Sequence, residues 1–91
     1  MKNYWSVYIE GDEKAPAKAD GYLAVLCAEV SGAEPPNPIQ LEAGAKELLR
    51  ERGSPLPAGI FAPVVAPEAD RHEPPDRPGW LGRDLKLWLM D

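Results

Sequence analysis

Titratable side chains gather densely in one short segment, residues 68–78, EADRHEPPDRP. Its candidate ligands are four carboxylates and the chain's single histidine: Glu68, Asp70, His72, Glu73 and Asp76. Clustered carboxylates suit a hard cation, but this spacing lacks the glycine turn and the alternating ligands of a calcium loop. His72 has no histidine or cysteine partner for a zinc site. The segment is therefore predicted to be a solvated acidic loop, with metal or small-molecule binding around His72 as the alternative function.

Nucleophilic catalysis has little support in this sequence. Cys27 is the only cysteine and its neighbours in the sequence are apolar, whereas a reactive thiolate needs a histidine and electropositive neighbours. The single histidine also has no serine arranged with it as a nucleophile–base pair. Cys27 is instead predicted to be a small buried hydrophobic residue. We predict a protein that is not an enzyme and that binds no metal and no cofactor.

Length and charge narrow the classes of partner. The chain has 91 residues, enough for a single domain, 1–91, with one core. It carries 15 Asp and Glu against 10 Lys and Arg, a formal net charge of −5, which argues against binding nucleic acid or anionic lipid through phosphates. No apolar run approaches the roughly 20 residues of a membrane-spanning helix, and no secretory signal is recognisable. The sequence thus predicts a cytoplasmic protein whose partner is another protein, and a homodimer is compatible with this.

The clearest structural signal is a helix over residues 38–52 with both ends encoded. Asn37 is a favoured N-cap, Pro38 fits the first helical position, and Gln40 stands where a capping-box side chain returns to the cap. An apolar stripe follows at spacings of three and four, formed by Leu41, Ala45, Leu48 and Leu49. Gly53 then predicts the end of the helix. The stripe needs an apolar surface, which a small sheet would supply.

Apolar runs predict the strands of that sheet. Residues 4–10 alternate between two faces, as a strand with one buried face does. The run 22–30 is largely apolar; its length and flanking glycines favour a strand, while its alanines leave a helix as the alternative. Residues 60–65 include Pro63 and can form at most an edge strand. Residues 84–91 alternate leucines with other side chains and are predicted to be the last strand, again with a helix as the alternative.

These elements predict an α+β fold. A small antiparallel sheet would carry the 38–52 helix across one face, with proline-rich coil over much of the remainder. Residues 11–21 and 66–79 are predicted to be exposed loops, because both are rich in charges and contain proline and glycine.

Aromatic side chains exceed what one face of such a sheet can bury. If the leucines of the last strand face the helix, then Trp88 must lie on the opposite face. The same alternation within the first strand places Tyr8 on that opposite face. The candidate protein-binding residues are Tyr4, Tyr8, Trp88 and Met90, to which we add Trp80. Tyr, Trp and Met are enriched at the cores of protein interfaces. The alternative is that the proline-rich segment covers this face.

The function that fits these features is protein binding without catalysis. A short, acidic, single-domain chain with surplus aromatics is typical of a small inhibitor, an immunity-type protein or an accessory subunit. A phage-encoded inhibitor of a host or defence complex is one concrete form of this hypothesis.

Overall fold

The apolar runs of the sequence form an antiparallel sheet that carries a helix on one face. The computed structural model describes residues 3–58, 64–67 and 78–90. In chain order, the elements of this part of the protein are β1 (Asn3–Ile9), β2 (Ala24–Val30), α1 (Pro38–Glu51), β3 (Val64–Pro67), β4 (Trp80–Leu81) and β5 (Leu85–Leu89). The strands lie in the order β3-β1-β2-β5-β4, with antiparallel neighbours throughout. The predicted α+β fold is confirmed.

Helix α1 begins at the residue that its capping signals predict and ends within one residue of the predicted end. The Asn37 side-chain oxygen accepts hydrogen bonds from the backbone N–H groups of Ile39 (2.9 Å) and Gln40 (3.2 Å), which would otherwise lack partners. The helix ends at Glu51, one residue before the predicted end, and Gly53 follows with a φ of 75°, a left-handed conformation that glycine adopts without strain.

Within the described residues, no helix combines the length and apolarity that crossing a membrane requires.

Strand β2 settles the ambiguity of the run 22–30 in favour of a strand. It lies in the middle of the sheet, paired with β1 on one side and β5 on the other. Leu26 and Ala28 are buried on the face toward the core, and Cys27 between them is buried on the opposite face. A strand that is covered on both faces needs no alternation of polar and apolar residues, which explains why its sequence pattern is ambiguous.

The core lies between α1 and the face of the sheet toward it, which we call the front face. The buried side of α1 consists of Leu41, Gly44, Ala45, Leu48 and Leu49. The predicted stripe is therefore confirmed, and Gly44 joins it. The helix contacts β5 and β4. Leu87 at the centre of β5 is fully buried, and a β-carbon on Gly44 would come within 2.6 Å of Leu87 Cδ1. Glycine at this position lets the helix approach the sheet closely.

The predicted exposed loop 11–21 is exposed over much of its length but contributes one residue to the core. Ala15 is 0% exposed and packs with the apolar side chains of the front face. Asp12 holds this turn, because its Oδ1 accepts from the backbone N–H groups of Lys14 (3.0 Å) and Ala15 (2.9 Å). Its Oδ2 accepts from the N–H of Ala58 (2.6 Å), 46 residues away. The loop is thus tied to the segment that follows α1.

The edges of the sheet are short strands. Strand β3 lies at one edge, as predicted for a proline-containing segment, although it spans Val64–Pro67. Residues 66–67 therefore belong to a strand and not to the predicted exposed loop 66–79. Strand β4 is a two-residue edge strand that no pattern in the sequence predicts. Residues 59–63 and 68–77 lie outside the described part, and so do the predictions made for them.

Candidate functional site

The candidate surface is the face of the sheet opposite α1, which we call the back face. Strand alternation and register place these side chains on it: Tyr4, Ser6, Tyr8, Val25, Cys27, Glu29, Lys86, Trp88 and Met90. Cys27 stands at the centre, opposite Ser6 of β1 on one side and opposite Trp88 of β5 on the other. Of the predicted binding residues, Tyr4, Tyr8, Trp88 and Met90 share this face.

The centre of the back face is buried, which corrects the expected exposure of Trp88. Trp88 is 3% exposed, and so is its neighbour Cys27. The backbone of Gly79 packs closely on the indole, since a β-carbon on Gly79 would lie 2.8 Å from Trp88 Nε1. The Lys86 ammonium lies over the ring, 5.0 Å from its centroid, at a cation–π distance. Alternation assigns Trp88 to the correct face, but its environment is that of a core residue.

One end of the back face carries a continuous aromatic and apolar surface. The rings of Tyr8 and Tyr22 lie 4.9 Å apart between centroids, tilted by 41°. Val25 is the register partner of Tyr8, and the backbone N–H of Met90 donates to the Val25 carbonyl (2.8 Å). All four side chains are half-buried. We call Tyr8, Tyr22, Val25 and Met90 the tyrosine patch.

Tyr22 was not among the predicted binding residues. It opens the run 22–30, two residues before β2 begins. Nothing in the sequence around it indicates that its ring lies next to Tyr8. The pairing with Tyr8 depends on the β1–β2 register, in which Ile9 lies opposite Ala24, and on the shape of the long connecting loop. In that loop the Tyr22 N–H donates to the Asp20 carboxylate (3.2 Å), and the Tyr22 carbonyl accepts from the Lys18 N–H (3.0 Å). These two hydrogen bonds hold the backbone that carries the ring.

Tyr4 lies on the back face but apart from the tyrosine patch. It stands opposite Glu29, and it lies four positions before Tyr8 on β1, a distance of about 13 Å along the strand. The side chain is half-buried. Tyr4 and the patch therefore occupy opposite ends of the sheet, and a contact with both would need a partner that crosses the buried centre.

Trp80 faces the other side of the sheet from the patch. It pairs with Leu87, whose side chain belongs to the front face, and it packs partly buried against the core beside α1. A β-carbon on Gly44 would meet its ring at 2.5 Å, and so would one on Gly82. The structure therefore places Trp80 on the other side of the sheet from Tyr8 and Met90, and a role of Trp80 in binding stays a prediction.

The described residues contain no group of three or more His, Cys, Asp or Glu side chains that could hold a metal ion. The acidic segment around His72 lies outside the described residues. Metal or small-molecule binding there stays a sequence-based prediction.

A comparison of the chain with models of known protein families, with curated proteins and with solved structures finds no match.

Proposed function

We propose that this protein is a non-catalytic protein-binding module and that the tyrosine patch is its contact surface. The observation that carries the proposal is the adjacency of two tyrosines, a valine and a methionine, half-exposed at one end of the sheet. Tyrosine and methionine are enriched at interface cores because they offer a large apolar area, and the tyrosine hydroxyl adds a hydrogen bond. An exposed patch of this composition is typical of a surface that a partner protein covers.

The patch is held in place before any partner binds. Tyr8 and Val25 stand on paired strands, and two hydrogen bonds made by its own backbone fix Tyr22 in the loop. Side chains that are already ordered lose less conformational entropy on association, so more of the contact free energy appears as affinity. The arrangement therefore supports binding by a nearly rigid surface.

The charge of the chain favours a partner with a basic surface. The formal net charge is −5, and Glu10, two residues after Tyr8, is exposed next to the patch. An acidic protein is steered toward a basic partner by long-range electrostatics, which raises the association rate more than the final affinity. Small inhibitors, immunity-type proteins and accessory subunits work in this way, by covering a surface of the partner without chemistry.

The test is a comparison of patch variants against a partner captured from cells of the source organism. Tyr8→Ala and Met90→Ala should each weaken binding of that partner roughly 30-fold, the scale of an interface hot spot. Glu47→Ala, on the exposed side of α1, serves as the matched control and should leave binding unchanged. Thermal unfolding of each variant separates lost contact from lost fold.

Equal binding by all variants of unchanged stability would remove the tyrosine patch from the interface. Sedimentation of the purified chain tests whether the protein associates with itself. A dimer that Tyr8→Ala dissociates would make the partner a second copy of the chain.

A further inference from the structure

Two adjoining clefts lie at the end of the sheet where β2 leads toward α1 and where β4 turns into β5. The first has a volume of about 360 Å³ and lies along residues 30–32 and 34–37. The second, of about 210 Å³, lies along residues 29–31 and 81–86. They share four lining residues: Val30, Ser31, Asp84 and Leu85. We call the two together the paired cleft; it lies at the opposite end of the sheet from the tyrosine patch.

Hydrogen bonds between distant parts of the chain hold the walls of the paired cleft. The Gln40 side-chain oxygen accepts from the Arg83 N–H (3.1 Å), which joins the first turn of α1 to the β4–β5 turn. That turn is closed by the Gly82 N–H donating to the Leu85 carbonyl (2.7 Å). On the other wall, the Asn3 amide donates to the Gly32 carbonyl (2.6 Å). Hydrogen bonds within the chain therefore hold the walls of both clefts in place.

Carboxylates dominate the charge of the first cleft. Its lining includes Glu34 and Asp84 and contains no lysine or arginine. Among the ion pairs and hydrogen bonds of the described residues, none involves either of these two side chains. The second cleft adds Arg83 and Lys86, but the Lys86 ammonium lies over the Trp88 ring. A cation that enters the first cleft would thus find two carboxylates without competing protein cations in its lining.

Two exposed apolar residues belong to the chain segments that line the paired cleft. In the described part of the chain, the large apolar residues that stand exposed are Ile39 (79%) and Leu81 (76%). Ile39 precedes Gln40 and Leu81 precedes Gly82, and a β-carbon on Gly82 would lie 2.7 Å from Gln40 Oε1. Leu81 itself lines the second cleft, and Ile39 lies in the chain between Asn37 and Gln40, which line the first. Apolar side chains next to a polar concavity are typical of a surface that binds a protein segment.

We propose that the paired cleft binds an extended segment of a partner protein that carries one arginine or lysine between apolar residues. The cationic side chain enters the first cleft near Glu34 and Asp84, and its neighbours lie against Ile39 and Leu81. Charge complementarity selects the cation, and the apolar borders select a peptide over a small free amine, which would leave them uncovered. This binding site is separate from the tyrosine patch and does not depend on the function proposed for it.

The experiment uses the full chain, labelled with ¹⁵N, and the peptide acetyl-Leu-Arg-Leu-amide as the probe. Titration should shift the amide signals of Ser31, Gly32, Arg83 and Asp84, with a Kd of about 1 mM, the range expected of so short a ligand. The same peptide with citrulline in place of arginine keeps the shape but loses the charge. It should bind about tenfold more weakly, because it loses the attraction to both carboxylates.

Charge-neutralising variants complete the test. Glu34→Gln and Asp84→Asn should each weaken the arginine peptide about threefold, and together about tenfold. Glu51→Gln removes the same charge at the far end of α1 and should change nothing, and Tyr8→Ala should change nothing either. Because Glu34 and Asp84 are exposed, signals outside the clefts should stay in place and show that the fold is intact.

Several results would overturn the proposal. These are the absence of shifts at peptide concentrations of about 10 mM, shifts centred on the tyrosine patch, or equal binding of the arginine and citrulline peptides. A loss of binding with Glu51→Gln as large as that with Asp84→Asn would indicate attraction by overall charge and would equally count against the site. A failure of the tyrosine patch variants to affect the captured partner bears only on the proposed function, since this titration does not involve them.

Discussion

Gly44 of α1 and Trp80 of β4 are in direct contact, so close that a β-carbon on Gly44 would come within 2.5 Å of Trp80 Cε3. The helix can lie at this distance from the sheet only because position 44 has no side chain. Leu87 Cδ1 is equally near on the sheet side, at 2.6 Å from the same point. This contact sets the position of α1 over β4 and β5.

Gly44→Ala is therefore expected to destabilise the protein by roughly 1–3 kcal/mol, as overpacking of a core does. Helix propensity alone predicts the opposite, a gain of about 1 kcal/mol. Ala43→Gly, at the exposed neighbouring position, is the matched control and should lose about 1 kcal/mol from propensity. Urea unfolding of both variants measures the two free energies. A stabilised Gly44→Ala would show that α1 does not lie this close to Trp80.

Trp88→Ala is expected to destabilise the fold by about 3–5 kcal/mol, because it empties the space of a buried indole. The sequence alone predicts a nearly intact fold for this variant, so the outcome separates the two interpretations. Met90→Ala, a half-buried side chain next to the end of β5, should cost no more than about 1 kcal/mol. Guanidinium unfolding provides the comparison. Wild-type stability in Trp88→Ala would make Trp88 a surface residue after all.

Asp12→Ala should cost about 2–3 kcal/mol, because the Asp12 carboxylate accepts three backbone hydrogen bonds that connect two distant segments. Asp12→Asn should cost about half as much, since the amide keeps one oxygen but presents an NH₂ group toward the Ala58 N–H. Asp20→Asn is the control, as its carboxylate accepts a single exposed bond from Tyr22. Hydrogen exchange should accelerate at the Ala15 and Ala58 amides in Asp12→Ala, and chiefly at the Ala58 amide in Asp12→Asn. Unchanged exchange there would show that the loop is held by other contacts.

No divalent cation is expected to stabilise the protein beyond the effect of ionic strength. The reason is the spacing of the acidic segment, which includes His72 but lacks the pattern of a metal-binding loop. A site filled at 100 times its Kd would add about 2.7 kcal/mol, a shift that thermal unfolding detects. Melting is measured with Ca²⁺, Mn²⁺ and Zn²⁺, with sodium chloride of matched ionic strength as the control. A rise of several degrees with any of them at micromolar concentration would favour the metal-binding alternative.

The sequence predicts best what depends on neighbouring residues. Asn37 and Gly53 encode the ends of α1 within a few residues of themselves, and both act as predicted. Strand alternation likewise assigns Tyr8 and Trp88 to the back face. In each case the rule concerns one element only, and the fold does not have to be known.

Contacts between distant segments are what the sequence leaves open. Alternation states which face Trp88 occupies but not whether that face is covered. Ala15 is buried in a loop that the Ala58 N–H ties to a distant segment through Asp12, and Tyr8 contacts Tyr22 at the end of the same loop. Such features follow from how the elements are assembled, and periodicity within one segment does not report on assembly.

The burial of Cys27 gives the wild-type protein an internal reporter of its own opening reactions. The chain has a single thiol, at the centre of the middle strand and 3% exposed. A thiol-specific reagent can reach it only when β2 separates from a neighbouring strand or when the back face uncovers it. Where reclosing is faster than alkylation, the modification rate follows the equilibrium population of the open form. Labelling in the presence of a bound partner would then distinguish a ligand that stabilises the whole sheet from one that touches only an end of it.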